Sequence, residues 1–384
     1  MDEKKHLVFI FSDTGGGHRS AVEAIIEAFD LEFPGRFSYE LIDFFRDYTP
    51  IPFNFAPNIY PTLTQFPTLW SFSYHASNGR RRTRANYRTF WPYIRRSMHR
   101  LLREHPGDLI ISVHQLSNSL IASAKKDRDG VKFATVVTDL VSTHAAWYNP
   151  KADLIIVPTE AARKSALSQK IDDRKIKVIG QPVAERYVNP ICDRDSLRQQ
   201  LGWSTDLPVI LLVGGGEGMG PLKENVLAID AAGLNAEMVV IAGRNKKLKT
   251  SLEKYPWKMK THVYGFVREM PEFMRAVDVL VTKAGPGTIS EAFIAGLPII
   301  LFSRLPGQED GNVNYVVEHG AGIWAPTPEI VVDTLKKWIN FPDERIKVAQ
   351  FAKELATPLA TRQIAQALAK LVGVSKEEPT HIEV

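Results

Sequence analysis

Short, continuously apolar runs recur along the whole chain, and helical patterns separate them. In the N-terminal half the runs are Leu7–Phe11, Leu109–Val113, Phe133–Thr138 and Leu154–Val157, with a helix over about Ser20–Leu31. In the C-terminal half they are Val209–Val213, Met238–Ala242, His262–Tyr264, Val279–Thr282 and Ile299–Phe302. Helices fit between these at Pro221–Ala232, Glu269–Arg275, Thr288–Ala295 and Asn312–Glu318, and three more follow before Leu371. A strand that is apolar at every position needs cover on both faces, the condition of a parallel sheet wrapped by helices. A break at Gln181–Asp206 holds Pro182, Pro190 and a short helix, Ser196–Leu201, stopped by Gly202. The expectation is an α/β chain of two Rossmann-like, doubly wound domains facing a central cleft. Ligands in such sheets bind at the carboxyl ends of the strands.

A chain of 384 residues suits two domains, and 44% apolar with 24% charged residues excludes a disordered, collagen-like or coiled-coil chain. No window reaches the ~18 to 20 apolar residues of a membrane span. Lys4 and Lys5 run straight into a strand, which is not the shape of a signal peptide. The single cysteine, Cys192, excludes an intramolecular disulfide and a cysteine-built metal site. The expected compartment is therefore the cytoplasm.

Charge is uneven. Tyr48–Arg103 contains no Asp or Glu, yet it holds Arg80, Arg81, Arg82, Arg84, Arg88, Arg95, Arg96, Arg100 and Arg103. The whole chain is only +5, so the remainder is net acidic. The same stretch carries 12 of the 37 aromatic residues, Trp70, Phe72 and Tyr74 among them. Such a segment suits an anionic partner. Nucleic acid is one reading. An anionic bilayer, with aromatics at the interface and arginines on headgroups, is the favoured one, because Trp70, Phe72 and Tyr74 sit beside proline-interrupted loops rather than on a base-stacking sheet. The bland alternative is that many of these aromatics are core.

Ser12-Asp13-Thr14-Gly15-Gly16-Gly17-His18 follows the first strand and opens the first helix. Gly15, Gly17 and Ser20 fail the dinucleotide spacing, and no Gly-Lys pair exists for a P-loop. What remains is a glycine loop presenting His18 at a helix N-terminus, where the dipole keeps an imidazole neutral and fit to accept a proton. A simple helix-capping histidine is the alternative. Asp139, in Thr138-Asp139-Leu140, can contact an acceptor, orient a base or cap a helix. The Asp127–Asp129 and Asp193–Asp195 turns read as solvated charge.

Two glycine loops mark the second half. Gly214-Gly215-Gly216-Glu217-Gly218-Met219-Gly220 and Lys283-Ala284-Gly285-Pro286-Gly287-Thr288-Ile289-Ser290-Glu291 each lie between a strand and a helix. Both can offer backbone N–H groups to phosphate oxygens, and Glu291, one turn beyond Gly287, can reach a ribose hydroxyl pair. Together they point to a diphosphate held by this half. Gln308, Glu309 and Asn312, after the strand Ile299–Phe302, suit sugar hydroxyls; a solvated acidic turn is the alternative.

Taken together, these residues resemble the monogalactosyldiacylglycerol synthases and, more broadly, the bacterial diacylglycerol glucosyltransferases and the enzyme that makes lipid II. The shared pattern runs in order through Ser12–Arg19, Thr138–Leu140, Pro158–Glu160, Gly214–Pro221, Gly243–Leu248, Lys283–Ala292, Gly296–Leu301 and Gly307–Asn312. The resemblance implies a GT-B fold. Residues 1–185 would form the acceptor domain, joined by a C-terminal helix over 356–373; 195–355 would bind the UDP-sugar, and 374–384 would be a disordered tail. It implies inverting, metal-independent hexosyl transfer, galactosyl over glucosyl, to the hydroxyl of diacylglycerol, with no cofactor. A UDP-sugar 2-epimerase and a non-catalytic binding protein are the competing classes.

By match, His18 is the base, with Asp13 or Asp139 in support. Gly215, Gly216, Glu217, Gly243 and Arg244 belong to the donor site. Gly265, Phe266 and Val267 hold uracil through the backbone. Gly285, Gly287 and Thr288 cradle diphosphate, Glu291 holds ribose, and Gln308, Glu309 and Asn312 face the sugar. Gly16, Gly17, His114, His144, Trp70, Arg80, Arg81, Arg82 and Arg84 fall on the acceptor and membrane side. Partners would be a UDP-hexose, diacylglycerol and an anionic phospholipid surface on the inner face of the cell membrane, with no nucleic acid. Plant-type synthases carry proline after the histidines matching His114 and His144; here Gln115 and Ala145 stand there.

Overall fold

The fold is that of a computed structural model describing residues 4–13, 16–51, 53–55, 59, 64, 66–125, 130–189, 193–218 and 220–375. The Asp127–Asp129 turn lies outside the described residues, as does the expected disordered tail from residue 376 onward. Val374, placed at the start of that tail by the sequence, is instead buried against the first core. The chain divides into two compact units. One comprises Met1–Ile59, Tyr74–Glu185 and Leu359–Val384; the other comprises Tyr60–Ser73 and Arg186–Pro358.

The first unit holds six parallel strands in the order β2-β1-β3-β4-β5-β6: β1 Lys5–Phe11, β2 Phe37–Asp43, β3 Leu109–Ser112, β4 Lys132–Val136, β5 Leu154–Val157 and β6 Ile176–Val178. Successive side chains go to opposite faces, as strand geometry requires. Leu7, Phe9 and Phe11 meet Val22, Ile25 and Phe29 of helix Gly17–Glu32, together with Ile364 and Leu368 of helix Ala360–Leu371. Val8 and Ile10 meet Ile94, Met98 and Leu101 of helix Arg80–Glu104 on the other face.

The second unit holds β7 Val209–Val213, β8 Glu237–Ile241, β9 Thr261–Tyr264, β10 Val279–Lys283, β11 Ile299–Ser303 and β12 Gly322–Trp324. Their order is β12-β11-β10-β7-β8-β9, again all parallel. Counted within the unit this is 3-2-1-4-5-6, the order of dinucleotide-binding sheets. Ile210, Leu212, Met238 and Val240 form its core with Ile229, Leu335 and Trp338.

The acid-free stretch departs from expectation. Trp70, Phe72 and Tyr74 lie not beside loops but within a helix, Pro67–Ser77, with proline in the first helical position, where its missing N–H costs nothing. All nine arginines lie on the next helix, Arg80–Glu104, which continues through Pro92. They are exposed, whereas Ile94, Met98, Leu101 and Leu102 recur at helical spacing on the buried side, and Tyr87 and Trp91 lie against the same core. Tyr74 is buried too and donates from its hydroxyl to the Ser142 carbonyl. Phe72, 72% exposed, does not join the core, and Phe66, Leu69 and Phe90 are exposed with it. The segment is an amphipathic helix whose aromatics divide between core and surface.

Candidate functional site: two sheet edges

Each sheet reverses its strand order at one point, and loops leaving that point open a crevice. In the first sheet the reversal lies between β1 and β3, and the Ser12–His18 loop and His114 leave it there. Gly16 takes a left-handed φ of 77° at the start of helix Gly17–Glu32, a conformation glycine adopts without strain. Nothing stands within 4 Å of where a side chain at Gly17 would begin.

His18, on the first turn, is half-buried. Burial lowers its pKa to about 4, against a weaker opposing hydrogen bond with the Val113 backbone, so the imidazole is neutral near pH 7. Its Nδ1 lies 3.0 Å from the Thr138 hydroxyl, and its ring meets that of His114 edge-on at 4.8 Å. His114 is buried and held well below the ordinary histidine value, first by burial and then by His18. His144 is also pushed down to about 4 by burial; its Nδ1 accepts from the Ala146 N–H, and its Nε2 meets the Ser77 hydroxyl at 3.2 Å.

The two carboxylates offered as supports for His18 have other contacts. Asp139 accepts a 2.7 Å hydrogen bond from Trp147 Nε1, so its nearest observed task is to fix that buried indole. Asp13 pairs with Arg19 at 3.3 Å, and its backbone N–H donates to Asp43. Its second oxygen, Oδ1, is buried without a hydrogen-bond partner among the described residues, as are Ser12 Oγ, Gln115 Oε1 and Gln181 Oε1. Buried polar atoms are ordinarily paired. Four unpaired oxygens on segments leaving one sheet edge can take a hydroxyl-bearing ligand. Thr138 and Gln181, whose Nε2 donates to the Thr138 carbonyl at 2.9 Å, were not singled out from sequence. For Thr138 the signal is its place in the shared Thr138–Leu140 motif.

In the second sheet the reversal lies between β7 and β10, where both glycine loops emerge. Gly243 is held at φ 61°, and a side chain there would begin 2.3 Å from the Gly216 carbonyl oxygen. The Arg244 N–H donates to that same oxygen, so this loop locks onto the β7 loop. Arg244 also pairs with Glu217 at 2.6 Å and lies 4.7 Å over the exposed ring of Phe266. Gly265, Phe266 and Val267 follow β9 on this side. Gly285 precedes helix Pro286–Ala295, and Gly287 and Thr288 lie in its first turn with open space beside Gly287.

Glu291, on the same helix, is raised to about 7 by burial, while a hydrogen bond from Tyr187 pulls it part of the way back. Asn312 donates to the Ala284 carbonyl at 2.9 Å and keeps Oδ1 buried and unpaired among the described residues. Gln308 is half-buried. Glu309, expected to face the sugar, also has partners within the protein. One of its oxygens accepts from Lys283 at 2.6 Å, the other from the Leu305 N–H at 2.7 Å, and the carboxylate is buried. Lys283 and Tyr187 were also missed. Lys283 opens a glycine-rich run whose glycines drew the attention, and Tyr187 lies in the interdomain linker with no motif around it.

Known proteins match both halves of the chain. Residues 18–183 match the sequence model of monogalactosyldiacylglycerol (MGDG) synthase, and 209–368 that of the glycosyltransferase family 28 C-terminal domain. Monogalactosyldiacylglycerol synthase 1, chloroplastic, of Arabidopsis thaliana is 36% identical over 98% of this chain and 73% of its own. The chain belongs to the monogalactosyldiacylglycerol synthase family. A probable chloroplastic synthase of Glycine max is 37% identical over 97% of the chain and 72% of its own. Among solved structures, a UDP complex of Staphylococcus aureus MnaA superposes with a TM-score of 0.65 at 14% identity, covering 98% of this chain and 99% of its own. Acinetobacter baumannii MurG gives 0.62 at 16%, covering 95% and 99%. These show a two-domain fold of the GT-B kind. The family acts on diacylglycerol as a UDP-sugar hexosyltransferase. The expected location, cytoplasmic on the inner face of the cell membrane, is corrected by the relatives, which are chloroplastic proteins.

Proposed function

We propose that this protein transfers a hexose, galactose in preference to glucose, from its UDP ester to the hydroxyl of diacylglycerol, with one inversion, giving β-monoglycosyldiacylglycerol. The observation that carries the reading is the 36% identity across 98% of the chain to a monogalactosyldiacylglycerol synthase. The resemblance of the fold to UDP-N-acetylglucosamine 2-epimerase, at 15% identity, concerns architecture alone.

In this reading His18 removes the proton from the attacking hydroxyl. Its low pKa keeps it unprotonated at working pH, and Thr138 fixes its ring. The N–H groups of Gly287 and Thr288, at the start of helix Pro286–Ala295, receive the charge of the departing UDP, with no metal or cofactor required. Glu291 takes the ribose hydroxyls, and the backbone at Gly265–Val267 takes uracil. Gln308 and Asn312 face the hexose.

The arginine face of helix Arg80–Glu104 draws the protein to an anionic bilayer, and exposed Phe90 of the same helix inserts at its surface. Since the relatives are chloroplastic, that bilayer belongs to a plastid. Labelled UDP-galactose and UDP-glucose, each supplied with diacylglycerol vesicles, test the whole reading. It requires labelled monoglycosyldiacylglycerol, more of it from UDP-galactose. Epimerised UDP-sugar with no labelled lipid would refute it.

A further inference from the structure

The two glycine loops of the second sheet share one cation. Lys283 is the last residue of β10, where the pairing with β11 shifts register between Thr282 and Lys283. Its side chain runs between the loops. A side chain added at Gly215 would begin 3.1 Å from Lys283 Cε, and one added at Gly285 would begin 3.2 Å from Lys283 Nζ. Both contacts are tighter than ordinary van der Waals packing. Glycine at these two positions therefore leaves the lysine its place, and the Gly285 N–H donates to the Lys283 carbonyl at 2.8 Å.

Among the described residues, Glu309 is the ammonium's sole hydrogen-bond partner, at 2.6 Å. The carboxylate is itself pinned by the Leu305 N–H, so it cannot follow the lysine elsewhere. An ammonium has three donors, and two remain for another acceptor. A buried ion pair adds little to stability compared with apolar packing. Its position, between two loops suited to phosphate, gives it a different use.

We propose that Lys283 is the cation that binds the donor's diphosphate and neutralises it as UDP departs, with Glu309 as the positioning residue that holds the ammonium between the loops. This rests on the reading that the second domain takes a UDP-sugar. Removing the charge alone would leave Glu309 buried and unpaired, so the test uses the double variant Lys283→Met with Glu309→Gln, beside Lys283→Arg. UDP and uridine are titrated separately into each by calorimetry. Charge-assisted hydrogen bonds predict that the double variant weakens UDP binding on the order of ten- to a hundredfold. Uridine binding should stay at the wild-type level, and Lys283→Arg should keep most of the UDP affinity. Unchanged UDP affinity in the double variant overturns the assignment. So does equal weakening of UDP and uridine, which would make the pair a structural support. Wild-type protein that binds neither ligand removes the donor reading itself, a result distinct from both.

Discussion

Glu291 is a buried carboxyl that should cost stability where it serves binding. Burial raises it from 4.5 to about 7, with Tyr187 opposing. The folded protein therefore holds this proton more tightly than the unfolded chain does. That preference supports the fold fully below about pH 4.5 and is lost as pH rises through about 7. Each tenfold in proton affinity is worth about 1.4 kcal/mol, so by pH 8 the ionised group costs about 3 kcal/mol relative to a neutral replacement. Glu291→Gln keeps the shape and can still accept from Tyr187. It should match wild type at pH 4.5 and exceed it at pH 8 by roughly 5 to 10 °C in melting temperature. Binding should move the other way. Ribose hydroxyls prefer a charged acceptor, so the variant should bind uridine on the order of three- to tenfold more weakly at pH 8. Uridine is the better probe, because its lack of phosphate leaves the carboxyl as the group that titrates. A melting-temperature gap of equal size at both pH values would refute the burial argument. Unchanged uridine affinity would remove Glu291 from the ribose.

Three further outcomes are expected. His18→Ala should lower kcat on the order of 10² to 10⁴ while UDP affinity stays near wild type, and the wild-type rate should lose this base only as pH falls toward 4, since burial has moved it from 6.5. Trp147→Phe leaves Asp139 without its indole donor and should cost about 1 to 3 kcal/mol, read by urea denaturation. Reversing Arg80, Arg81, Arg82 and Arg84 to Glu should abolish binding to anionic vesicles yet leave UDP binding intact, and undiminished vesicle sedimentation would place membrane attachment elsewhere.

The inner strands were legible because both faces are covered, which makes most of their residues apolar. Three outer strands were not. Phe37–Asp43 mixes Ser, Tyr, Glu and Asp into its run, as an edge strand open on one side can. Ile176–Val178 and Gly322–Trp324 are three residues each, too short for a pattern. Prolines and aromatics disguised the helices over 67–104, although Pro67 starts one and Pro92 is absorbed in the next. At the sites, glycine loops announced themselves by composition. The groups that complete them did not, because Thr138, Gln181, Tyr187 and Lys283 acquire meaning only from what folds against them. The pairing of Glu309 with Lys283 is invisible in sequence because the lysine lies 26 residues earlier, at the end of a strand.

The two sheet edges differ in charge in a way that follows from what each would handle. A hydroxyl is neutral, and the group that takes its proton must begin without one. At the first edge, burial holds His18, His114 and His144 below their ordinary values, and the nearby oxygens are poised to accept hydrogen bonds. A diphosphate arrives charged and leaves with more charge on the UDP oxygen. At the second edge stand a lysine, an arginine and the start of a ten-residue helix. The cations are matched to carboxylates, Lys283 to Glu309 and Arg244 to Glu217, and each pair holds its cation in place. Exchanging the two chemistries would fail on both sides, since a protonated histidine cannot accept the hydroxyl proton and a neutral imidazole in place of Lys283 would bring no charge to meet a diphosphate.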